Sequence, residues 1–557
     1  MTSGGHEPLA TVERELDLRG ARPAHAGRAP AGAAAFVDHG APDASVRLPG
    51  FDRLPAWTRS PWAMVIAILG IGAFLRGWDL GVVGLNSDEA VYNGQGASIA
   101  GVRELAPYFP TFRAHPLLFQ TLLSVGFHFD DPELFGRMAA AAVGVATIWV
   151  VFLTGRLLYG VRAGVLAALL IALMPYHVVV TRQILLDGPM VLWATVSLYL
   201  LARYAVTRRM LWLYAAAGGL GLTVLSKEGS IILLGSVYAF MALTPMLRFR
   251  LRDLVGPALL FAAVCSAFPL ALRLAGAQKT GGNFLAWQLF RRPNHTFFFY
   301  PSVVPLAIGL GVVAAAGLGL WLMRNRGSWR ETLLIAWIAV PVVFFELFPI
   351  KGFQYLLPIA PAVAVLAARF LATWHPSQLR AGRARSLLDR SWVMPAAIAA
   401  VAISLAIPSW TRIQPSSSST FLAGSGGVPG GREAGRWIDE HVPVGAQMMS
   451  VGPSMANILQ YYGHRKIYGL SVSPNPLHRN PVYEAMPNPD RLVRDNELQY
   501  VVWDAFSADR SPFFSRKLMR YVERYNGAVA HQETVAVKTA AGRTVRKPVI
   551  TIYEVRP

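Results

Sequence analysis

Long apolar windows recur from Pro61 to about Trp410, and this repetition limits the fold more strongly than any other feature of the chain. An α-helix needs roughly 20 mostly apolar residues to cross the hydrocarbon core of a bilayer. The composition agrees, because 54% of the 557 residues are hydrophobic and only 15% are charged. Soluble domains carry about 25% charged residues. We therefore predict a mostly α-helical, polytopic membrane protein.

The windows predict about eleven transmembrane helices. Arginine recurs in every second connection between them, as at Arg156, Arg203, Arg252 and Arg383. Positive residues gather in short cytoplasmic loops, so these connections are expected inside the cell. This orientation predicts a multi-pass protein of the cytoplasmic membrane with its N-terminus inside and its C-terminus outside. The predicted spans are residues 61–81, 135–155, 162–181, 187–206, 209–226, 229–247, 254–274, 302–323, 331–349, 353–373 and 392–411.

The remaining segments predict the domain organisation. Residues 1–60 are rich in Ala, Gly, Pro and Arg and are expected to form a disordered cytoplasmic tail. Residues 61–411 then form the transmembrane domain, with long outer loops at 81–133 and 275–301. The low-complexity stretch 412–430 is predicted as a linker. Residues 431–557 alternate helix-like and strand-like patterns, which predicts a small extracytoplasmic α/β domain.

Several function classes are excluded. The net charge of +20 is scattered between apolar helices, so it does not form the contiguous basic patch that nucleic acid requires. The single cysteine, Cys265, permits neither an internal disulfide nor a multi-thiolate metal site. Neither the histidines nor the carboxylates have metal-ligand spacing of the HExxH kind. We therefore expect no catalytic metal, no other cofactor and no nucleic-acid partner.

A pair of carboxylates follows the first predicted span, in the segment LNSDEAVYNGQG. Asp88 and Glu89 are adjacent, so their side chains point in different directions and are not expected to share one proton. One carboxylate can act as a general base while the other is held elsewhere. The alternative is that both simply solvate a helix end. We select Asp88 and Glu89 as the candidate catalytic residues.

Cations at the predicted outer ends of the helices suggest an anionic ligand. A lipid phosphate lies at this depth, whereas topology alone does not favour positive charge on the outer side. Snorkelling to ordinary lipid headgroups is the alternative for any one of them. His115 and Asp187 lie at the same boundary, and Asp187 is also placed to pair with Arg182. The cations at this side include Arg182, Lys227, Arg291, Arg292 and Lys351.

The order of these segments resembles the GT-C superfamily, specifically glycosyltransferase family 39 with the protein O-mannosyltransferases and aminoarabinose transferases. The resemblance covers about residues 61–375. Leu117 replaces the second proline of the family's HPPL segment, and Gln354 replaces the arginine of K…RYLLPLLPA. The matching segments are the DE pair, AHPLL, TRQILLDGPMVLW, LTVLSKEG and IKGFQYLLPIAPAVAVLAA.

The resemblance implies a GT-C fold and a metal-independent, inverting transfer of a monosaccharide from a polyprenyl-phosphate carrier. The acceptor is expected to be a glycan, a lipid or a protein. By family position Asp88 would be the general base, and Arg182, Lys227 and Lys351 would bind the donor phosphate. His115, Asp187, Arg291, Arg292 and Tyr355 would line the substrate cleft.

A secondary transporter is the alternative function, because many spans and intramembrane charges suit it too. Transporters place their sites near the bilayer midplane on broken helices. Here the charged residues gather at the predicted outer boundary, beside long outer loops. This distribution favours the enzyme.

Overall fold

The structure is a computed structural model, and it describes residues 60–247, 249–291, 293–324, 327–373, 392–415, 427–538 and 543–557. The predicted tail up to residue 59, the site candidate Arg292 and linker residues 416–426 lie outside these ranges. The described residues belong to one compact unit.

Helices are the regular secondary structure of the described chain as far as Ile413. Short 3-10 turns at Val125–His128, Glu228–Ile232, Pro245–Leu247 and Phe353–Ile359 connect some of them. The helices are α1 (Pro61–Gly77), α2 (Ser87–Ile99), α3 (Leu118–Ser124), α4 (Pro132–Tyr159), α5 (Val161–Leu173), α6 (Pro175–Val180), α7 (Asp187–Thr207), α8 (Met210–Ser226), α9 (Leu233–Leu243), α10 (Leu251–Leu274), α11 (Gln278–Phe290), α12 (Phe299–Ile308), α13 (Leu310–Leu322), α14 (Trp329–Leu347), α15 (Ala360–Thr373) and α16 (Val393–Ile413).

Small residues let the central helices approach closely. Helix α4 packs against α5 and α7. A Cβ atom on Gly155 of α4 would lie 2.9 Å from the Cα of Gly164 in α5, closer than real Cβ contacts come. Close backbone approach through small residues is typical of helices that associate in lipid. The glycines in these two apolar windows therefore hold the centre of the bundle together.

The predicted count of eleven spans is not confirmed. Within the described residues five helices are long and apolar enough to cross a membrane, or six if one bent pair is a single span. The pair is α12 and α13, which meet at 97°. Gly309 makes this bend with a φ of 100°, a conformation that residues with a Cβ rarely adopt. The window 302–323 was read as one straight span because hydropathy carries no information about such a bend.

The window 162–181 is also interrupted. Helix α5 ends at Leu173 and α6 begins at Pro175, since proline is favoured in a first helical turn and cannot continue a helix from the preceding residue. Residues Thr181–Leu186 then separate α6 from α7. This interruption brings irregular backbone to the same end of the bundle as α2, and we call that end the site end.

The C-terminal region, residues 427–557, contains a five-stranded sheet and five helices in its described part. The strands have the order β2-β1-β3-β5-β4; β1 is parallel to β2 and β3, and β5 is antiparallel to β3 and β4. Helices α17 and α18 cover one face of the sheet, and α19 and α21 cover the other. The elements are α17 (Gly431–His441), β1 (Gln447–Ser450), α18 (Pro453–Gly463), β2 (Lys466–Gly469), α19 (Pro489–Arg494), β3 (Leu498–Asp504), α20 (Ala505–Arg510), α21 (Pro512–Arg524), β4 (Ala528–Lys538) and β5 (Thr544–Glu554).

The structure has the expected mixture of helices and strands in this region. Its short elements, such as the four-residue strand β2, are too short for a clear alternation in the sequence.

Candidate functional site

Helix α2 begins with a capping box that fixes the backbone around Asp88. The Asn86 side-chain oxygen accepts hydrogen bonds from the backbone N–H groups of Asp88 at 2.9 Å and Glu89 at 3.0 Å. The Glu89 carboxylate in turn accepts from the backbone N–H of Asn86 at 3.0 Å. This reciprocal arrangement satisfies the free N–H groups of a first helical turn. Asp88 is therefore presented from a rigid helix start.

Glu89 is held by a buried bidentate ion pair with Arg137 of α4. Its two oxygens accept from Arg137 Nε at 2.9 Å and Nη2 at 2.8 Å, and the backbone N–H of Ile184 donates to one of them at 3.1 Å. The Glu89 side chain has 0% exposure. It has no free face for a substrate, so its position suits a residue that anchors α2 to α4 and to the break before α7.

Asp88 points the other way and is exposed. No described side chain forms a hydrogen bond or ion pair with its carboxylate. Protein nevertheless crowds the group on its other sides, and this desolvation raises the pKa of Asp88, while the positive charge of Lys227 opposes the rise. A carboxylate that is reachable, unpaired and more basic than usual meets the requirements of a general base.

Two ion pairs lie beside Asp88. Lys227 donates to both oxygens of Asp187 at 2.8 Å and lies 4.8 Å from the centre of the Tyr355 ring. His115 Nδ1 is 2.9 Å from the Glu228 carboxylate, and Lys227 precedes Glu228 in the chain. We call Asp88, His115, Asp187, Lys227, Glu228 and Tyr355 the Asp88 cluster.

The three predicted phosphate-binding cations have different partners. Lys227 belongs to the Asp88 cluster. Lys351 is 5% exposed and lies 2.9 Å from the Glu346 carboxylate, between the rings of Phe297 and Tyr300. Arg182 donates to the carbonyl oxygens of Leu75 at 2.8 Å and Trp78 at 2.7 Å. No two of the three cations share a partner.

Arg182 lines a separate small cavity of about 40 Å³ at the site end, together with Asp79, Arg137 and Arg412. It does not pair with Asp187, the alternative that the sequence left open, because Lys227 takes that carboxylate. Arg291 lies 4.6 Å from the Trp287 ring, and its charge also acts on Tyr355 of the Asp88 cluster.

Sequence reasoning missed several residues of the site. Glu228 stands in the matched segment LTVLSKEG, so its place after Lys227 was visible, but its pairing with His115 across the fold was not. Tyr92 lies one helical turn after Asp88, and its ring is 6.0 Å from that of His115. Arg113 is buried beside the cluster. The sequence did not indicate Arg137 as a site residue, because an arginine early in an apolar window is also typical of a side chain that reaches the membrane surface.

The C-terminal region packs directly on α2. Asn457 donates to the Ser87 hydroxyl at 3.1 Å, and Asn93 donates to the Tyr461 hydroxyl at 2.8 Å. The Tyr462 hydroxyl accepts from the backbone N–H of Leu85 at 2.8 Å and donates to Glu133 at 2.8 Å. These bonds fix both ends of the segment that carries Asp88.

The described residues contain no group of three or more His, Cys, Asp or Glu side chains that would hold a metal ion.

The chain is similar to known membrane transferases in sequence. A family model described as dolichyl-phosphate-mannose-protein mannosyltransferase matches residues 114–271. An undecaprenyl phosphate-alpha-4-amino-4-deoxy-L-arabinose arabinosyl transferase of Pectobacterium carotovorum is 26% identical over 330 residues, which cover 55% of this chain and 54% of the relative. The chain thus spans about half the length of the curated relatives it matches. A transferase of the same name from Serratia proteamaculans is 26% identical over 258 residues, or 43% of this chain and 46% of the relative.

Solved structures extend the similarity of fold to most of the chain. ArnT from Cupriavidus metallidurans in the apo state has a TM-score of 0.63 at 16% identity and covers 88% of this chain and 97% of its own. The archaeal oligosaccharyltransferase AglB from Archaeoglobus fulgidus has a TM-score of 0.54 at 14% identity. The match covers 87% of this chain and 74% of AglB. The segments that resemble the GT-C superfamily thus lie in a fold that this chain shares with ArnT and AglB.

Proposed function

We propose that the chain transfers a monosaccharide from a polyprenyl-phosphate carrier to an acceptor hydroxyl, with inversion, and that Asp88 is the general base. The observation that carries the proposal is the contrast between two adjacent carboxylates. Asp88 is exposed and has no partner among the described side chains, whereas Glu89 is fully buried in a bidentate pair with Arg137. A site that fixes one carboxylate to present the other suits proton abstraction.

The proposed reaction is a single displacement at the anomeric carbon. The acceptor oxygen bonds to this carbon while the bond from the carbon to the carrier phosphate breaks and its electron pair leaves with the phosphate. The acceptor proton passes to Asp88. Positive charge facing the leaving phosphate lowers the barrier. Lys227 is the proposed cation nearest to this chemistry, since its charge acts on Asp88, and Lys351 and Arg182 would act from greater distance.

The carrier is proposed from the relatives. The matched relatives are transferases named for undecaprenyl phosphate, and ArnT from Cupriavidus metallidurans has also been solved with undecaprenyl phosphate bound. The acceptor class, whether glycan, lipid or protein, is not specified by the Asp88 cluster, because a general base serves any hydroxyl.

The function is tested by donor turnover in detergent. We expect the purified chain to release free undecaprenyl phosphate from an undecaprenyl-phosphate pentose or hexose when an extract of cell-envelope glycans and lipids is added. A transporter has no gradient to act on in a micelle and would leave the donor intact. Product formation that requires the extract and persists in a metal chelator supports the proposal. If the donor stayed intact with every sugar and every acceptor fraction tested, that result would contradict the proposed function.

The proposed orientation places the site end outside the cell. It predicts that a cysteine at Val444, 90% exposed in the C-terminal region, reacts in intact cells with an impermeant thiol reagent in a Cys265→Ala background. A cysteine at Arg252, whose side chain is 74% exposed in the first turn of α10, should react only after the cells are opened. Labelling of position 252 in intact cells would reverse the orientation.

A further inference from the structure

Arg113 is a buried arginine without an acceptor. It lies between α2 and α3 and is 7% exposed. Within the described chain its guanidinium has no hydrogen bond or ion pair, and its Nη1 atom is buried without a partner. The guanidinium makes a cation–π contact with Tyr483, and its carbon lies 5.3 Å from the centre of the ring. Tyr483 belongs to the C-terminal region, between β2 and α19.

Other buried arginines of the site end differ from Arg113. Arg137 pairs with Glu89, and Arg76 donates to Thr181 at 2.9 Å and to two carbonyl oxygens of α5. Burial of a charge without compensation is costly. Burial also lowers the pKa of Arg113. Fold stability alone does not explain a buried guanidinium without an acceptor. An anionic ligand that accepts its hydrogen bonds would explain it.

The position of Arg113 fits the proposed reaction. It precedes His115 by two residues, and His115 belongs to the Asp88 cluster. Asp88 and Tyr92 are among the groups whose charges act on Arg113. The planar guanidinium offers two parallel N–H donors, a geometry that matches phosphate oxygens better than the point charge of lysine does. Lys227 is already neutralised by Asp187, so Arg113 is the better placed of the two to meet a new anion.

We propose that Arg113 binds the phosphate of the lipid-linked donor and that Tyr483 holds its guanidinium in place, so that the donor site is shared between the helical bundle and the C-terminal region. The proposal rests on the donor class proposed above.

The test measures binding of undecaprenyl phosphate itself to the purified full-length protein, by native mass spectrometry or fluorescence titration. Arg113→Gln should weaken binding about 10- to 100-fold, as expected for loss of a charge-assisted pair of hydrogen bonds. The affinity of Arg113→Lys for undecaprenyl phosphate should lie between those of the parent and of Arg113→Gln. Lysine keeps the positive charge but lacks the two parallel N–H donors of the guanidinium. Arg103→Gln is the matched control, since Arg103 is an exposed arginine of the same loop.

Thermal unfolding distinguishes a ligand role from a structural one. Without ligand, Arg113→Gln should unfold at the temperature of the parent or higher, because it removes an uncompensated buried charge. The stabilisation that undecaprenyl phosphate gives the parent should be much reduced in this variant. An Arg113→Gln protein that unfolds earlier without ligand and binds the carrier as well as the Arg103→Gln protein would overturn the proposal.

Tyr483 variants test the contribution of the C-terminal region. Tyr483→Ala should weaken carrier binding about 3- to 10-fold, the range of a partly desolvated cation–π contact, while Tyr483→Phe keeps the ring and should bind like the parent. Equal binding by both variants would refute the shared site. If the parent does not bind undecaprenyl phosphate at all, the proposed donor fails; if the parent binds and Arg113→Gln binds equally, only the present inference fails.

Discussion

Asp88→Asn is expected to lower the transfer rate by about two to four powers of ten while leaving the protein folded and able to bind the carrier lipid. Asparagine keeps the size of the side chain and one acceptor oxygen, but it cannot take the acceptor proton. The Asp88 carboxylate has no partner among the described residues, so its neutralisation should leave other contacts intact. The measurement is sugar transfer and carrier binding on the same preparation.

The pH dependence of the parent enzyme gives a second measure of the same residue. The base acts only when deprotonated, so kcat/KM should fall as the pH is lowered through the pKa of Asp88. Desolvation by the protein that crowds the other sides of the carboxylate raises this pKa above its ordinary value of 3.8. The acid limb should disappear from the residual rate of Asp88→Asn. Asp130→Asn, at an exposed carboxylate before α4, is the matched control and should behave like the parent. A near-normal rate for Asp88→Asn would exclude Asp88 as the base.

Glu89→Gln is expected to destabilise the protein more than any other single change at the site. It breaks a buried bidentate pair and leaves Arg137 with an uncompensated charge, a change that typically costs about 3–5 kcal/mol. The 3.6 Å contact of Arg137 with Glu133 offsets only part of this cost. Transfer should also decrease, because Glu89 anchors the turn that presents Asp88. Thermal unfolding in nanodiscs and transfer assays measure the two effects.

A double variant separates the charge from the contact. In Glu89→Gln combined with Arg137→Met the uncompensated cation is absent, so its loss of stability should be smaller than the sum of the two single losses. Glu104→Gln, at an exposed glutamate of the same loop, should have little effect. If Glu89→Gln unfolded at the same temperature as the parent, that result would exclude the ion pair between Glu89 and Arg137 as the anchor of α2.

The sequence located the candidate carboxylate pair and the resemblance singled out Asp88, but the residue pattern alone did not show which of the two carboxylates is buried. Neighbouring residues of a helix point about 100° apart, so a DE pair contains one inward and one outward carboxylate without saying which is which. The partners that decide it, Arg137 and Ile184, lie 48 and 95 residues away. For a related reason the sequence did not show that Lys227 and Lys351 have different counter-charges, Asp187 and Glu346.

In the helical part, the sequence predicted where apolar helices lie better than it predicted their bends and breaks. Apolar windows located the helices because burial in lipid and burial in protein require the same side chains. They did not locate the bend at Gly309 or the break before Pro175, which depend on backbone conformation. Arg113 stood in the quoted segment FRAHPLLFQ, but its contact with Tyr483 joins positions 370 residues apart, and the absence of an acceptor becomes visible only in three dimensions.

The bonds between α18 and α2 have a consequence for biosynthesis. Ser87 and Asn457 are separated by 370 residues and Leu85 and Tyr462 by 377. At about 5–20 residues per second, a ribosome needs roughly 20 to 75 seconds between making the two halves of this contact. The segment with Asp88 emerges early, but it acquires its final support only when the last quarter of the chain has been synthesised and folded. A nascent or truncated chain would therefore carry the Asp88 carboxylate without the contacts that the C-terminal region makes with α2.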